Sequence, residues 1–236
     1  MNVLAVGAHP DDIELGCGGA LLRHVEQGDK IIFLVMTGGE ATGEENSVRF
    51  QEQRRSARVF GAELRWGRFL DGSIPTDSRS VGVVDSVIKE FSVDVVYVNA
   101  TADSHQDHRA TAEITIAAAR RVDTVLLYET PTTLRFAPTV FVDIADTMET
   151  KLAALRNHDS QVQRVGGPVD LEAVEAQARY RGFHSRGRLA EAFELIRLRW
   201  LADVTTTSST DQEEDPGEAK PGFGDAFDSL ELGLVQ

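Results

Sequence analysis

Short apolar runs alternate with segments of helical periodicity along the first half of the chain. Asn2–Gly7 carries no polar side chain after Asn2, the pattern of a strand buried on both faces. Lys30–Thr37 repeats it, and residues 63–70, 93–98 and 124–128 read as further strands. Between them, residues 20–26, 48–61, 80–91 and 105–121 predict helices. In the third of these, Val81, Val84, Val87, Ile88 and Phe91 recur at spacings of three and four, and Gly61 supplies a stop for the second. Strands alternating with helices of about a dozen residues, joined by short loops, build βαβ units and a parallel sheet. Right-handed crossovers then place helices on both faces. The expected fold class is α/β, a Rossmann-like, mostly parallel sheet in a single domain over residues 1–201.

Beyond Pro131 the pattern loosens. Residues 139–144 predict a strand, and Asp146 with Glu149 resembles a capping box for a helix through Arg156. Residues 170–180 read as helix and 193–200 as a late strand. From residue 202 the composition turns to Thr, Ser and acidic residues, then Pro and Gly, which predicts a disordered acidic tail over 202–236.

The totals narrow the partners. A formal charge of −14 argues against nucleic acid or an anionic membrane surface, since little here would neutralise phosphates. One cysteine excludes an internal disulfide, and Cys17, set among glycines, reads as a small packing residue. No run approaches the roughly 18 apolar residues of a membrane span. With no charged n-region before an apolar stretch, the expected location is cytoplasmic.

Candidate chemistry gathers where strands end. In a parallel sheet the carboxyl-end loops share one edge, where open α/β sheets bind ligands. The first loop, Ala8-His9-Pro10-Asp11-Asp12, holds an imidazole and two carboxylates. Such N and O donors suit zinc or another divalent ion, and one carboxylate stays free to take a proton. The plainer reading is a tight turn with an Asp capping the next helix. Later loops bring Glu40, Asp71 and His105-Gln106-Asp107-His108 to the same edge. A catalytic zinc site uses three protein ligands and keeps a position open. His9, Asp12 and one of His105 and His108 would supply them. The other histidine would donate to an oxyanion or protonate a leaving group.

The stretch from Val6 to Gly19 closely resembles the signature of the LmbE-like (PIG-L) zinc-dependent de-N-acetylases, the superfamily of GlcNAc deacetylases. Thr37-Gly38-Gly39-Glu40, Arg49-x-x-Glu52, Phe60-Gly61-Ala62, Asp71-Gly72, His105-x-Asp107-His108 and Ala190-Glu191-Ala192-Phe193 resemble the family as well. The resemblance implies one zinc on His9, Asp12 and His108, with Fe2+ or Co2+ also acceptable to the donor set. It implies Asp11 as general base, His105 as oxyanion donor or acid, and Asp107 as the group orienting His105. Arg49, Asp71 and Glu40 would bind an amino-sugar substrate, and the chain would form a homo-oligomer. Gln106 departs from the family, where Pro is common, and bears on loop stiffness more than chemistry.

The implied function is removal of an acetyl group from an N-acetylated amino sugar or N-acetylglucosaminyl conjugate. The alternatives are an amidase for thiol conjugates, a phosphoesterase with the same ligands, and a binding module without activity. A nucleotide-binding turn is disfavoured by the missing G-x-G-x-x-G and by Asp11 and Asp12, which would repel a pyrophosphate. His158, just past the helix that follows Asp146, is a further candidate to approach the site.

Deleting residues 205–236 is expected to leave the folded domain intact. Thermal melts of the truncated and full chains should coincide, and a lowered midpoint would make the tail part of the fold.

Overall fold

The computed structural model describes residues 1–38, 47–162 and 169–199. In the middle of its five parallel strands is β1 (Asn2–Gly7), flanked by β2 (Lys30–Thr37) and β4 (Val95–Asn99). The described residues form a seven-stranded sheet. Its order is β3 (Glu63–Phe69), β2, β1, β4, β5 (Thr124–Tyr128), β7 (Ala190–Leu198) and β6 (Val140–Asp143). The five strands from β3 to β5 run parallel, and β7 is antiparallel to both its neighbours. The order reverses beside β1, and that switch point is where an open α/β sheet leaves a crevice for ligands.

Alternation along each strand divides the core. Leu4 and Val6 point to α3 (Ser78–Phe91) and α4 (Gln106–Ala118), where Val84, Val87 and Ile114 cover them. Val3 and Ala5 point to the other face, to Ile13, Cys17 and Leu21 of α1 (Asp12–Glu26) and to Phe60 after α2 (Val48–Val59). A third cluster joins α1 to α5 (Met148–Leu155) and α7 (Leu171–Ser185) through Leu15, Met148, Leu155, Val174 and Ala178. The short α6 (Asp159–Val162) follows α5.

The α/β class and the mostly parallel sheet agree with the sequence. Several boundaries do not. Helix α1 begins at Asp12 and takes in Gly16, Gly18 and Gly19, which hide its periodicity. A Cβ at Gly16 would overlap the Tyr128 ring, and one at Gly19 would lie 2.6 Å from Ile144 Cγ2. These glycines let the helix backbone sit against β5 and the residue after β6. The Asp146 capping box does not form. Thr147 takes the N-cap position without a side-chain capping bond, and Asp146 pairs with Arg23 at 3.2 Å. Helix α7 runs on to Ser185, β4 starts at Val95, and β7 starts at Ala190. The 202–236 tail and Glu40 lie outside the described residues. No described helix is long and apolar enough to cross a membrane.

Two glycine substitutions should separate packing from propensity. Gly16→Ala is expected to cost about 1–3 kcal/mol or more through overpacking against Tyr128. Gly82 is exposed inside α3 with open space at its Cβ position, so Gly82→Ala should add about 0.5–1 kcal/mol. Urea midpoints at unchanged slope give both values.

Candidate metal centre and its surroundings

Residue Asp12, at the start of α1, turns its carboxylate back over the loop. Its Oδ2 accepts from the His9 backbone N–H at 2.9 Å and from Asn99 Nδ2 at 3.4 Å. The His9 imidazole comes from the end of β1 and that of His108 from the first turn of α4. His9 Nδ1 and His108 Nε2 lie 3.2 Å apart. His108 Nε2 is 3.3 Å from Asp12 Oδ1, and His9 Nδ1 is 3.6 Å from Asp12 Oδ2. All three side chains are buried.

This donor set fits a divalent cation. Metal bonds of about 2.0–2.2 Å in a tetrahedron put neighbouring ligand atoms about 3.4 Å apart, close to the separations observed. Two ring nitrogens aimed at each other across a carboxylate also lack the donors to satisfy one another. His9, His105 and His108 bring a nitrogen each within 4.8 Å, and so do His9, Asp71 and Asp107 with their donor atoms. We favour the set with Asp12, because His105 Nδ1 already accepts from the Asp107 backbone N–H at 3.2 Å.

Outer carboxylates hold both rings. His9 Nε2 is 2.9 Å from Asp71 Oδ1 and 3.3 Å from Asp107 Oδ2. Asp107 is fixed in turn by N–H donors from Gly72 at 2.6 Å and Ile74 at 3.2 Å. His108 Nδ1 is 3.2 Å from Asp103 Oδ2, which accepts from the Thr130 and Thr133 hydroxyls. Burial alone would depress the imidazole of His9, but Asp107, Asp12 and Asp71 outweigh it and carry it up to about 11. For His108 the same contest, won by Asp12 and Asp103, gives about 10. The cluster therefore calls for positive charge, which protons or a metal ion supply.

Asp11 behaves differently. Burial pushes its carboxyl up to about 6, with Asp12 and Glu14 adding to the rise and Arg49 and His158 opposing it. Its φ of 97° is a conformation that non-glycine residues rarely adopt. Gln53 Oε1 accepts from its N–H at 3.1 Å, and Arg49 Nη2 donates to Pro10 O at 2.7 Å and to Asp11 Oδ2 at 3.3 Å. Behind it, Gln53 Nε2 donates to Glu14 Oε1 at 2.7 Å, and His158 Nε2 stands 3.3 Å from the same oxygen.

The residues nominated by the motifs lie together. His9, Asp11, Asp12, Arg49, Asp71, His105 and His108 line one cavity of about 210 Å³. His105 stacks on His108 with centroids 4.8 Å apart. Because Nδ1 accepts, its neutral ring carries the proton on Nε2. Burial, then the charges on His9 and His108, lower its pKa. One expectation differs from the structure. Asp107 directs its carboxylate at His9 and the 72–74 backbone, because those N–H groups and the imidazole are its nearest donors, and the carboxylate makes no hydrogen bond to the His105 ring. Asp71 meets His9 Nε2 as well as facing the cavity. Sequence reasoning passed over Asp103, Asn99, Glu14 and Gln53. Only Asp103, an acid in a carboxyl-end loop two residues before His105, carried a readable signal.

Fold and cluster together define an α/β protein with a buried His/Asp centre able to hold a metal. A family model described as PIG-L, GlcNAc-PI de-N-acetylase, matches residues 4–119. The uncharacterized deacetylase YaiS of Escherichia coli is 37% identical over 168 residues, covering 67% of this chain and 91% of that protein. The chain belongs to the PIG-L family. The diacetylchitobiose deacetylase of Thermococcus kodakarensis is 27% identical over 222 residues, or 83% of each chain. Among solved structures, the conserved protein TT1542 of Thermus thermophilus matches with a TM-score of 0.75 at 27% identity, over 86% of this chain and 98% of that one.

Asp103→Ala is expected to weaken metal affinity about 10–100-fold by freeing the His108 ring. Competition against a chelator of known strength measures it, and unchanged affinity would make Asp103 a loop residue only.

Proposed function

We propose that this chain is a metal-dependent N-deacetylase, removing acetate from an N-acetylated amino sugar or an N-acetylglucosaminyl conjugate. The observation that carries this reading is the division of labour in one cavity. His9, Asp12 and His108 point their donors at a common centre, while Asp11 and His105 stand beside it with their own chemistry. Deacetylase relatives, one of them acting on diacetylchitobiose, support the substrate class.

One zinc ion per chain, on His9, Asp12 and His108, would polarise the amide carbonyl and lower the pKa of a water toward about 7. Asp11, at about 6, is placed near neutrality, where a base is both ionised and able to accept a proton. It takes the proton of the attacking water. Arg49 keeps the carboxylate turned toward the cavity. The Nε2–H of His105 donates to the oxygen that gains charge as the carbonyl carbon becomes tetrahedral. The amine is a poor leaving group as an anion and needs a proton, which Asp11 or His105 returns. A carboxylate and an imidazole flanking one centre meet both needs.

Free-amine release from a panel of N-acetylglucosaminides tests the reading. Asp11→Ala should keep its metal and lose about 10²–10⁴-fold in kcat. His108→Ala and Asp12→Ala should lose metal and activity together. His105→Ala should hold metal and slow by about 10²-fold or more. Wild-type turnover in Asp11→Ala would sink the mechanism. Release from thiol-conjugate amides or phosphate esters alone would replace the substrate class.

A further inference from the structure

Helix α2 grips the turn before α1 from one face. Arg49 and Gln53 lie one helical turn apart on the same side of α2. Arg49 donates to Pro10 O and Asp11 Oδ2, and Gln53 Oε1 accepts from the Asp11 N–H. The other end of the same amide, Gln53 Nε2, donates to Glu14 Oε1, and His158 Nε2 stands 3.3 Å from that oxygen. Glu14, Gln53 and His158 are fully buried. We infer that Gln53 is a positioning residue for Asp11, and that Glu14, backed by His158, sets which way its amide points. The inference rests on the N-deacetylase reading above, in which Asp11 is the base, and adds the side chains that hold that base in line.

The groups at its two ends leave the amide one orientation. A backbone N–H only donates, so it needs Oε1; the Glu14 carboxylate only accepts, so it needs Nε2. Glutamine offers a donor and an acceptor at this reach. Glutamate would set a second carboxylate against Glu14 across the 2.7 Å now spanned by a hydrogen bond. Methionine would fill a similar volume and satisfy neither neighbour. Further contacts keep the parts in register. Glu52, beside Gln53 on α2, accepts from the Ser160 N–H at 2.8 Å and the Ser160 hydroxyl at 2.7 Å, which ties the start of α6, and His158 with it, to α2. The Leu15 N–H donates to Asp11 O at 2.9 Å, so α1 starts on the very residue whose N–H Gln53 holds. With φ at 97°, Asp11 is strained, and losing the bond at its N–H lets the turn relax toward ordinary backbone angles and carry the carboxylate with it.

The test uses the full chain with zinc bound, as wild type, Gln53→Met, Gln53→Glu, and Gln53→Glu combined with Glu14→Gln. The double variant exchanges donor and acceptor between the two positions. Amine release, taken at the plateau of each pH profile, gives kcat and KM, and hydrogen exchange at the Asp11 amide reports on the turn itself. Each single variant should lower kcat about 10–100-fold with KM within about twofold of wild type. The Asp11 N–H should exchange about tenfold faster, the loss of one hydrogen bond, while amides in the middle of α1 keep their rates. The double variant should recover kcat to within about threefold and restore the Asp11 amide. Wild-type kcat in Gln53→Met, or a zinc-loaded double variant no better than Gln53→Glu, would overturn the assignment. Should Gln53→Met not fold, Gln53→Glu and the double variant decide by the same readouts. No amine release from the wild type, with Asp11 exchange still rising and recovering across the variants, would sink the deacetylase reading and leave the hold on Asp11 standing. Amine release that ignores all three variants would do the reverse.

Discussion

The Asp12 carboxylate, 4% exposed, lies between the imidazoles of His9 and His108, and a buried charge is tolerated only with partners. Its own burial would raise its pKa, yet the two rings hold it well below the usual carboxylate range. Each ring in turn demands an acceptor on its far nitrogen. Asp71 and Asp107 answer for His9, and Asp103 for His108. Asp107 and Asp103 are also dehydrated, and backbone amides meet the need: Gly72 and Ile74 for Asp107, His105 for Asp103. The loops after β3 and β4 are therefore shaped by where those N–H groups must point. The donors are held in place by their own hydrogen bonds, which is what a site acting by electrostatics requires.

That arrangement depends on α1 staying pressed to the sheet. Glycines at 16 and 19 permit the approach, and a buried ion pair fixes it. Glu191 on β7 accepts from the N–H groups of Gly19 and Ala20 at 2.8 and 2.7 Å. Lys151 on α5 donates to Glu191 at 2.6 Å and to Leu15 O at 2.8 Å. Both side chains are at most 5% exposed. Removing one partner of such a pair costs about 3–5 kcal/mol, since it strands the other charge. The late part of the chain, beyond the 4–119 match, thus clamps the helix whose first residue carries the site.

Periodicity made the sheet and most helices legible, because strands buried on both faces leave continuous apolar runs. The shared carboxyl edge followed from parallel topology alone and brought His9, Asp71 and His108 together before any coordinates. What stayed hidden has physical causes. The start of α1 was masked by glycines chosen for close approach, not for helix formation. Asp146 lost its capping role because Arg23, 123 residues away, offers it a partner. Glu14 and His158 pair across 144 positions, a relation with no local trace. The direction of Asp107 depended on where residues 72–74 fold, which no spacing rule states.

Adjacent residues with the same side chain end in opposite electrostatic states, and the backbone explains it. At Asp11 the left-handed φ turns its carboxylate away from that of Asp12, toward Arg49 and the Gln53–Glu14–His158 group. Such strain costs about 1–3 kcal/mol and persists only where surroundings enforce it. Here the N–H bond to Gln53 and the Arg49 contacts enforce it. Asp12 faces two imidazoles and is held ionised; Asp11 faces one guanidinium against full burial and rises to about 6. Two carboxylates separated in this way can serve as ligand and as base without exchanging roles.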